Sequence, residues 1–351
     1  MAKRRSNRGA AGKERQARPR ITLVTPARAG TRNGNRHTAT RWASMLRAGG
    51  WRVRVALSWD GAPCDLLLAL HARRSHASVA AFRLAHPERP LVVALTGTDL
   101  YRDLPRSREA RESLAAADRL IVLQEAALAE LPREARRKAS VVYQSSDTAL
   151  RQAPPARRFR LAVVGHLREE KDPFRTVLAL ARHLPGEDFE LVQVGAALDP
   201  AMRREAERWA SREPRYRWLG SVSHPRALRW IATSHLLVVS SAMEGGANVI
   251  AEAARIGTPV LASRVSGNVG MLGPRYPGYF RLYDERQLAA LILKCRRDHA
   301  YYRQLKAALR ERRALFAPAA ERRAILAAVS DLAPRAAGRA PGSIRRRGPT
   351  P

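Results

Sequence analysis

The sequence predicts an α/β fold of two doubly wound domains that face each other across a cleft, and three observations predict it. Short apolar runs alternate with longer amphipathic segments between about residues 21 and 283, the pattern of parallel βαβ units. The charged, proline-containing stretch "DTALRQAPPARRFR" (147–160) interrupts that pattern once, after which it restarts. At 351 residues the chain exceeds what one hydrophobic core usually serves, and each half is long enough for its own.

In the first half the candidate strands are "ITLVTP" (21–26), "WRVRVAL" (51–57), "DLLLAL" (65–70), "PLVVAL" (90–95), "RLIVL" (119–123) and "SVVYQ" (140–144). Between the first two, Arg36–Ala48 reads as a helix: Ala39, Trp42, Ala43 and Leu46 form an apolar stripe, and Gly49-Gly50 ends it. In the second half the strands are "RLAVVG" (160–165), "FELVQVG" (189–195), "YRWLG" (216–220), "HLLVVSS" (235–241), "PVLAS" (259–263) and "YFRLY" (279–283). Helices are expected around Pro173–Leu184, Pro200–Arg212, Pro225–Thr233 and Ala247–Ile256, and a strongly helical stretch from Glu285 to about Leu332 is expected to brace the first domain. The organisation that follows is a basic tail (1–20), a first domain (21–146), a linker (147–160), a second domain (161–284), bracing helices (285–333) and a second basic tail (334–351).

The formal net charge of +33, from 64 basic against 31 acidic residues, points at first to nucleic acid or an anionic surface. The tails carry +12 of it: eight Lys or Arg against Glu14 in residues 1–20, and five Arg with no acid in 334–351. The rest is mostly arginine interleaved with Glu and Ala on helical segments, which reads as solvated helix faces, so no stable nucleic-acid partner is expected. Both tails lack large apolar residues to offset the entropy of ordering and are expected to be disordered. Cys64 and Cys295 have neither disulfide-framework nor metal-ligand spacing, which fits a reducing, cytoplasmic setting. No apolar run approaches the roughly 18 residues of a membrane span, so a soluble protein is expected.

The stretch "SSAMEGGANVIAEAARIGTPVLAS" (240–263) reads as a strand end, a glycine loop, a helix and a strand. A loop of Gly245, Gly246, Ala247 and Asn248 that feeds a helix amino terminus offers free N–H groups and the positive end of the helix dipole, where a diphosphate fits. Glu252, early in that helix, can accept hydrogen bonds from both hydroxyls of a ribose, and Glu244 in the loop would face the sugar beyond the diphosphate. In "VVGHLREEKDP", Arg168 and Lys171 follow the second domain's first strand and can hold two phosphates. The alternative for these cations is a solvated loop paired with Glu169, Glu170 or Asp172. The first domain offers the backbone of Gly34 and Asn35 at a helix start, and Arg36, Arg73, Arg74 and Arg102, as anion contacts. Thr98 and Asp99 in "LTGTDLYRD" and His71 in "LALHARRS" stand just past strands. Asp99 could orient a sugar hydroxyl or the acceptor, and His71 could donate to a phosphate oxygen; a structural turn aspartate and a packed histidine are the alternatives. No Asp-x-Asp falls at a strand end, so no metal or other cofactor is expected.

On these residues the second half resembles the carboxyl-terminal domain of GT-B glycosyltransferases of the glycogen-synthase-like family four, through "FELVQVG", "RWLGSVSHPRALRWIATSHLLVVSSAMEGGANVIAEAARIGTPVLAS" and "GNVG". The resemblance covers roughly 160–283 and implies two Rossmann-like domains. It implies that the two glutamates of an E-x7-E motif, Glu244 and Glu252, contact donor sugar and ribose, and that Arg168 and Lys171 hold the phosphates. The segments "RNGNRHTATRWASMLRAGGWRV", "LLLALHARRSHASVAAFRLAHPERPLVVALTGTDLYRD", "ADRLIVLQEAALAELP", "GHLREEKDP", "MEGGANVIAEA" and "YPGYF" further resemble the selenosugar synthases of selenoneine biosynthesis. That resemblance implies a UDP-sugar donor, typically UDP-N-acetylglucosamine, and selenophosphate as acceptor; Gly34, Asn35, Arg36, Arg73, Arg74, Thr98 and Arg102 are the residues that could receive such an anion. Two alternatives stay open: a transferase of the same architecture acting on a hydroxyl acceptor of a lipid or envelope sugar, and a nucleic-acid-binding protein with an inactive transferase core.

Overall fold

The computed structural model describes residues 18–27 and 34–332, so the two tails expected to be disordered lie, but for residues 18–20, outside the described residues. The first sheet holds β1 (Arg20–Val24), β2 (Arg52–Ala56), β3 (Leu66–Leu70), β4 (Leu91–Leu95), β5 (Arg119–Val122) and β6 (Ala139–Val141), in the order β2-β1-β3-β4-β5-β6 and parallel throughout. The second holds β7 (Phe159–Val164), β8 (Phe189–Val194), β9 (Tyr216–Trp218), β10 (Leu236–Val239), β11 (Val260–Ser263) and β12 (Tyr279–Phe280), in the order β12-β11-β10-β7-β8-β9, again all parallel.

Each apolar run read as a strand is one, because a parallel sheet covered on both faces needs apolar side chains on both sides. β3 and β4 are buried at every position, and so is β8, despite its Glu190 and Gln193. Most runs pair over a shorter length than expected. "YFRLY" pairs only at Tyr279–Phe280, because the chain turns at Tyr283 (φ 65°) into a helix capped by Asp284, whose Oδ1 accepts from Gln287 N at 2.8 Å. "SVVYQ" pairs only to Val141, and "YRWLG" only to Trp218. At the other end of the linker stretch, β7 begins at Phe159, within it.

The helices are α1 (Gly34–Ala48), α2 (His76–Ala85), α3 (Arg108–Ala116), α4 (Arg133–Arg137), α5 (Arg175–His183), α6 (Pro200–Arg212), α7 (His224–Ala232), α8 (Asn248–Ile256), α9 (Ser266–Leu272), α10 (Glu285–Arg297), α11 (His299–Arg312) and α12 (Pro318–Ser330). α1 buries Ala39, Trp42, Ala43 and Leu46, the stripe read from the sequence. Among the described residues no helix is long and apolar enough to cross a membrane.

The chain passes from the first sheet to the second through residues 142–158 and returns through the turn Arg313–Phe316 into α12. α12 joins the first sheet's core: Ile325, Ala328 and Val329 pack in one buried cluster with Trp42, Leu46 and Leu68. Glu321 anchors it. This carboxylate is 1% exposed; Oε1 accepts from Trp42 Nε1 at 2.8 Å and Arg41 Nε at 3.0 Å, and Oε2 from Ser145 N at 2.8 Å and Ser145 Oγ at 2.5 Å. The last helix, the first helix and the outgoing crossing thus meet on one buried charge.

In both sheets the chain reverses its direction of winding once, between β1 and β3 and between β7 and β10. Loops that leave neighbouring strands in opposite directions open a crevice at the carboxyl ends of those strands. The two crevices face one another.

Candidate active site

A cleft of about 510 Å³ lies where they meet. Its second-domain wall is built by loops after β7 and β10 and by the start of α8, which bring Gly165, Arg168, Lys171, Glu244 to Asn248, and Glu252 to the surface. Its first-domain wall brings Gly34, Asn35, His71, Arg74, Thr98 and Arg102, with Thr96 and Gly97.

On the second-domain wall the two loops are tied together. Glu170 O accepts from Ala242 N at 2.9 Å, and Ser240 Oγ donates to Asp172 O at 2.8 Å. Lys171 Nζ lies 2.5 Å from Glu244 Oε1, which also accepts from Ser241 Oγ at 2.5 Å. Arg168 Nη1 is 3.3 Å from Glu170 Oε1, one of the pairings considered for a solvated loop, while its Nε is enclosed without a hydrogen-bond partner. Lys171 departs from the pairing with an adjacent acid and crosses to the second loop. Glu252 accepts from His224 Nε2 at 2.8 Å and lines the cleft.

Gly245 and Gly246 serve a purpose that their loop position alone does not reveal. A Cβ on Gly245 would stand 2.2 Å from Thr96 O and 2.7 Å from Gly97 Cα, and one on Gly246 would stand 2.7 Å from Leu123 Cβ. The loop therefore lies directly against the first domain, backbone to backbone, at the point where Gly97 (φ 137°) turns away from β4. Absence of side chains lets the walls touch here while the N–H groups at the start of α8 stay at the cleft.

The first-domain wall corrects three expectations. Asp99 does not reach the cleft: it is fully buried, Oδ1 accepts from Thr96 N and Gly97 N at 2.8 Å each, and Oδ2 accepts from Ala72 N at 3.0 Å. Three backbone donors occupy the carboxylate, which fastens the loop after β4 to the loop after β3. Arg73 is also absent from the cleft lining; its Nε lies 2.9 Å from Asp103 Oδ2. Its neighbour Arg74 points into the cleft, as does Arg102, which approaches Asp103 Oδ1 at 3.5 Å. Arg36, in the first turn of α1, is not part of the lining.

His71 sits at the edge of the cleft with φ 74°, a left-handed conformation that L side chains rarely adopt. Its Nδ1 accepts from Arg74 N at 3.3 Å, which leaves the ring proton on Nε2, 3.1 Å from Thr98 Oγ1. Burial holds its pKa below the usual histidine value, and the nearby Asp99 and Asp103 oppose that only in part. A neutral imidazole that presents Nε2–H is a hydrogen-bond donor to an oxyanion, not a strong base.

Sequence reasoning missed His224 and His37. His224 opens α7 and holds Glu252; its pKa is raised, first by that hydrogen bond. His37 faces it from α1 with ring centroids 6.2 Å apart, and its pKa is lowered by burial and then by the charges of His224 and Arg41. For His224 the sequence signal was the "SVSHPRAL" segment that opens α7, and nothing in it names a partner 28 residues away.

Two parallel α/β domains with opposed switch points and one cleft between them are the GT-B architecture of glycosyltransferases. The comparisons agree. Residues 158–298 match the family model described as "Glycosyl transferases group 1". Sucrose-phosphate synthase from Thermosynechococcus elongatus superposes with a TM-score of 0.72 at 19% identity, over 90% of this chain and 99% of that one. Anabaena HepE, solved in complex with UDP and glucose, gives 0.69 at 18% identity, over 89% of this chain and all of that one. A glycosyltransferase from Rickettsia africae gives 0.69 at 13% identity, over 90% and 98%. The chain therefore has the GT-B fold, and its second domain matches the group 1 glycosyltransferase model.

Proposed function

We propose that the chain transfers a sugar, N-acetylglucosamine by preference, from a UDP donor to selenophosphate. The observation that carries the reading is the pairing of unlike walls in one cleft: two cations, two carboxylates and a helix amino terminus on one side, and two arginines, a neutral histidine and a second helix amino terminus on the other.

The second-domain wall suits a nucleoside diphosphate sugar. Arg168 and the N–H groups at the start of α8 receive the phosphates, and Lys171 exchanges Glu244 for a phosphate oxygen. Glu244, thus released, faces the sugar hydroxyls, and Glu252 takes the ribose. Solved relatives with UDP-glucose in place support the class of donor. Opposite, Arg74, Arg102 and the start of α1 suit a small, highly charged acceptor, and His71 Nε2–H donates to one of its oxygens. The selenium nucleophile is already deprotonated, so no strong base is required, in keeping with the neutral His71. In the transfer the bond from anomeric carbon to diphosphate oxygen breaks, UDP leaves and a C–Se bond forms. Water then cleaves the Se–P bond and releases phosphate.

The test is mass spectrometry of products from the full chain with UDP-N-acetylglucosamine and fresh selenophosphate, beside thiophosphate and phosphate. A product with selenium's isotope pattern, formed together with UDP, is expected. UDP release with no selenium product would overturn the acceptor and favour a hydroxyl acceptor, whereas no turnover with any UDP-sugar would overturn the donor as well.

A further inference from the structure

The far end of α8 borders a second pocket, of about 470 Å³, away from the cleft. One side is the last turn of α8 with Gly257, and the other is Arg303, Lys306, Arg310 and Arg313. The first three lie three and four residues apart on α11 and so share one face of it, with Ala307 between them keeping that face open. Arg151, from the outgoing crossing, and Arg255, from α8, stand close enough to Arg313 that their charge, after burial, lowers its pKa.

Unlike many arginines elsewhere, the cations of this cluster have no carboxylate partner among the described residues. Arg175 is paired with Asp172 and Glu285, Arg215 with Glu213, and Arg297 with Glu187. Among the described residues the six cations here make no ion pair, and the Nε atoms of Arg255 and Arg313 are enclosed with no hydrogen-bond partner. Glu311, the one acid of α11, is exposed and outside the lining. The carboxyl end of α8 adds some negative potential. Its carbonyls are partly engaged, Ile256 O by Gln152 N at 3.2 Å and Ala253 O by Gly257 N at 2.7 Å, so they do not balance several full charges.

We propose that this pocket is a second anion site, separate from the cleft, for a small molecule bearing two or more phosphate groups. Spacing three cations over two turns of α11 suits several phosphates better than one. The site also has a place in the fold. Arg151 lies on the segment leaving the first domain, Arg313 begins the turn that returns to it, and α8 reaches from this pocket to the cleft, where Asn248, Val249 and Glu252 stand. A ligand here joins both crossings to the helix that carries the donor wall.

Calorimetric titration of inorganic tripolyphosphate into the full chain at physiological ionic strength tests this. In Lys306→Ala/Arg310→Ala, a change at exposed helix positions, affinity is expected to fall at least tenfold, and Lys306→Arg/Arg310→Lys is expected to restore it. The cleft variant Arg168→Ala/Lys171→Ala is expected to keep one site of wild-type affinity. Equal affinity in wild type and Lys306→Ala/Arg310→Ala, or loss of all binding in the cleft variant, would overturn the proposal. Flotation with phosphatidylcholine vesicles containing phosphatidic acid separates the sources of phosphate. Capture that depends on Lys306 and Arg310 assigns a lipid headgroup, and tripolyphosphate binding without capture assigns a free metabolite. Binding of a single-stranded RNA oligomer through these residues, with none of tripolyphosphate, would replace the small molecule with a macromolecule and so reject it.

Discussion

The two walls of the cleft treat their charged groups in opposite ways. On the first-domain wall Asp99 is saturated by three main-chain donors, and behind that wall Glu321 is saturated by four donors from two segments. On the second-domain wall each carboxylate is held by one long, movable cation or a histidine: Glu244 by Lys171, with Ser241 alongside, and Glu252 by His224. A carboxylate that main-chain N–H groups surround has no capacity left for a ligand, whereas one that a side chain holds can change partners. The first wall's charges shape the cleft and the second wall's charges are free to bind in it.

This contrast breaks most readily at the buried end. Glu321→Ala removes a buried charge and leaves Trp42 Nε1, Arg41 and Ser145 N without an acceptor, which should cost about 3–5 kcal/mol in urea unfolding. A loss under about 1 kcal/mol would mean that α12 is held by its apolar face alone. Asp99→Ala should follow at about 3 kcal/mol, since three backbone donors lose their acceptor. The informative outcome is the split: lower stability identifies a positioning carboxylate, while full stability with activity lost would put Asp99 back in contact with substrate.

On the other wall the order of effects reverses. Glu252→Ala, Arg168→Ala and Lys171→Ala should each lower kcat/KM at least tenfold, about 1.4 kcal/mol, with thermal stability near wild type. Wild-type kinetics in all three would remove the donor assignment. Gly245→Ala sharpens the comparison from between the walls, because its Cβ meets Thr96 O at 2.2 Å and must push the domains apart. The expected result is a larger radius of gyration in small-angle scattering together with reduced activity, and unchanged dimensions would show that the loop yields instead.

All twelve strands were legible because a parallel strand buried on both faces is written as a local apolar run. The shared placement of Glu244, Asn248 and Glu252 was legible for a related reason: strand, glycine loop and helix are adjacent in sequence, so the three had to share one end of a sheet. What could not be read was everything decided by a distant partner. Asp99 looks the same in sequence whether its oxygens meet Ala72 N or a ligand. Gly245 and Gly246 read as an anion loop, yet their tightest neighbours are Thr96 and Leu123. Glu321 carried no signal at all, since its donors lie more than 170 positions away.

The smallest effect probes the hinge between the walls. His224 faces Glu252 on α8, His37 and Arg41 on α1, and Asp147 on the outgoing crossing. Because Glu252 raises the folded-state pKa above the 6.5 of free histidine, the pair contributes its stability in full below that value. That contribution disappears as pH rises through the raised one. The pair is partly exposed, so it is worth less than about 1 kcal/mol, and ring-proton NMR is the better measurement. His224 should titrate above 6.5 in the wild type, and in Glu252→Gln it should fall back to 6.5 or below, where burial takes it. If the ribose competes with His224 for Glu252, saturating UDP should produce the same fall, and the KM for donor should decrease as pH rises through the wild-type value. A His224 titration unmoved by UDP would leave Glu252 bound to its histidine and assign the ribose to another group.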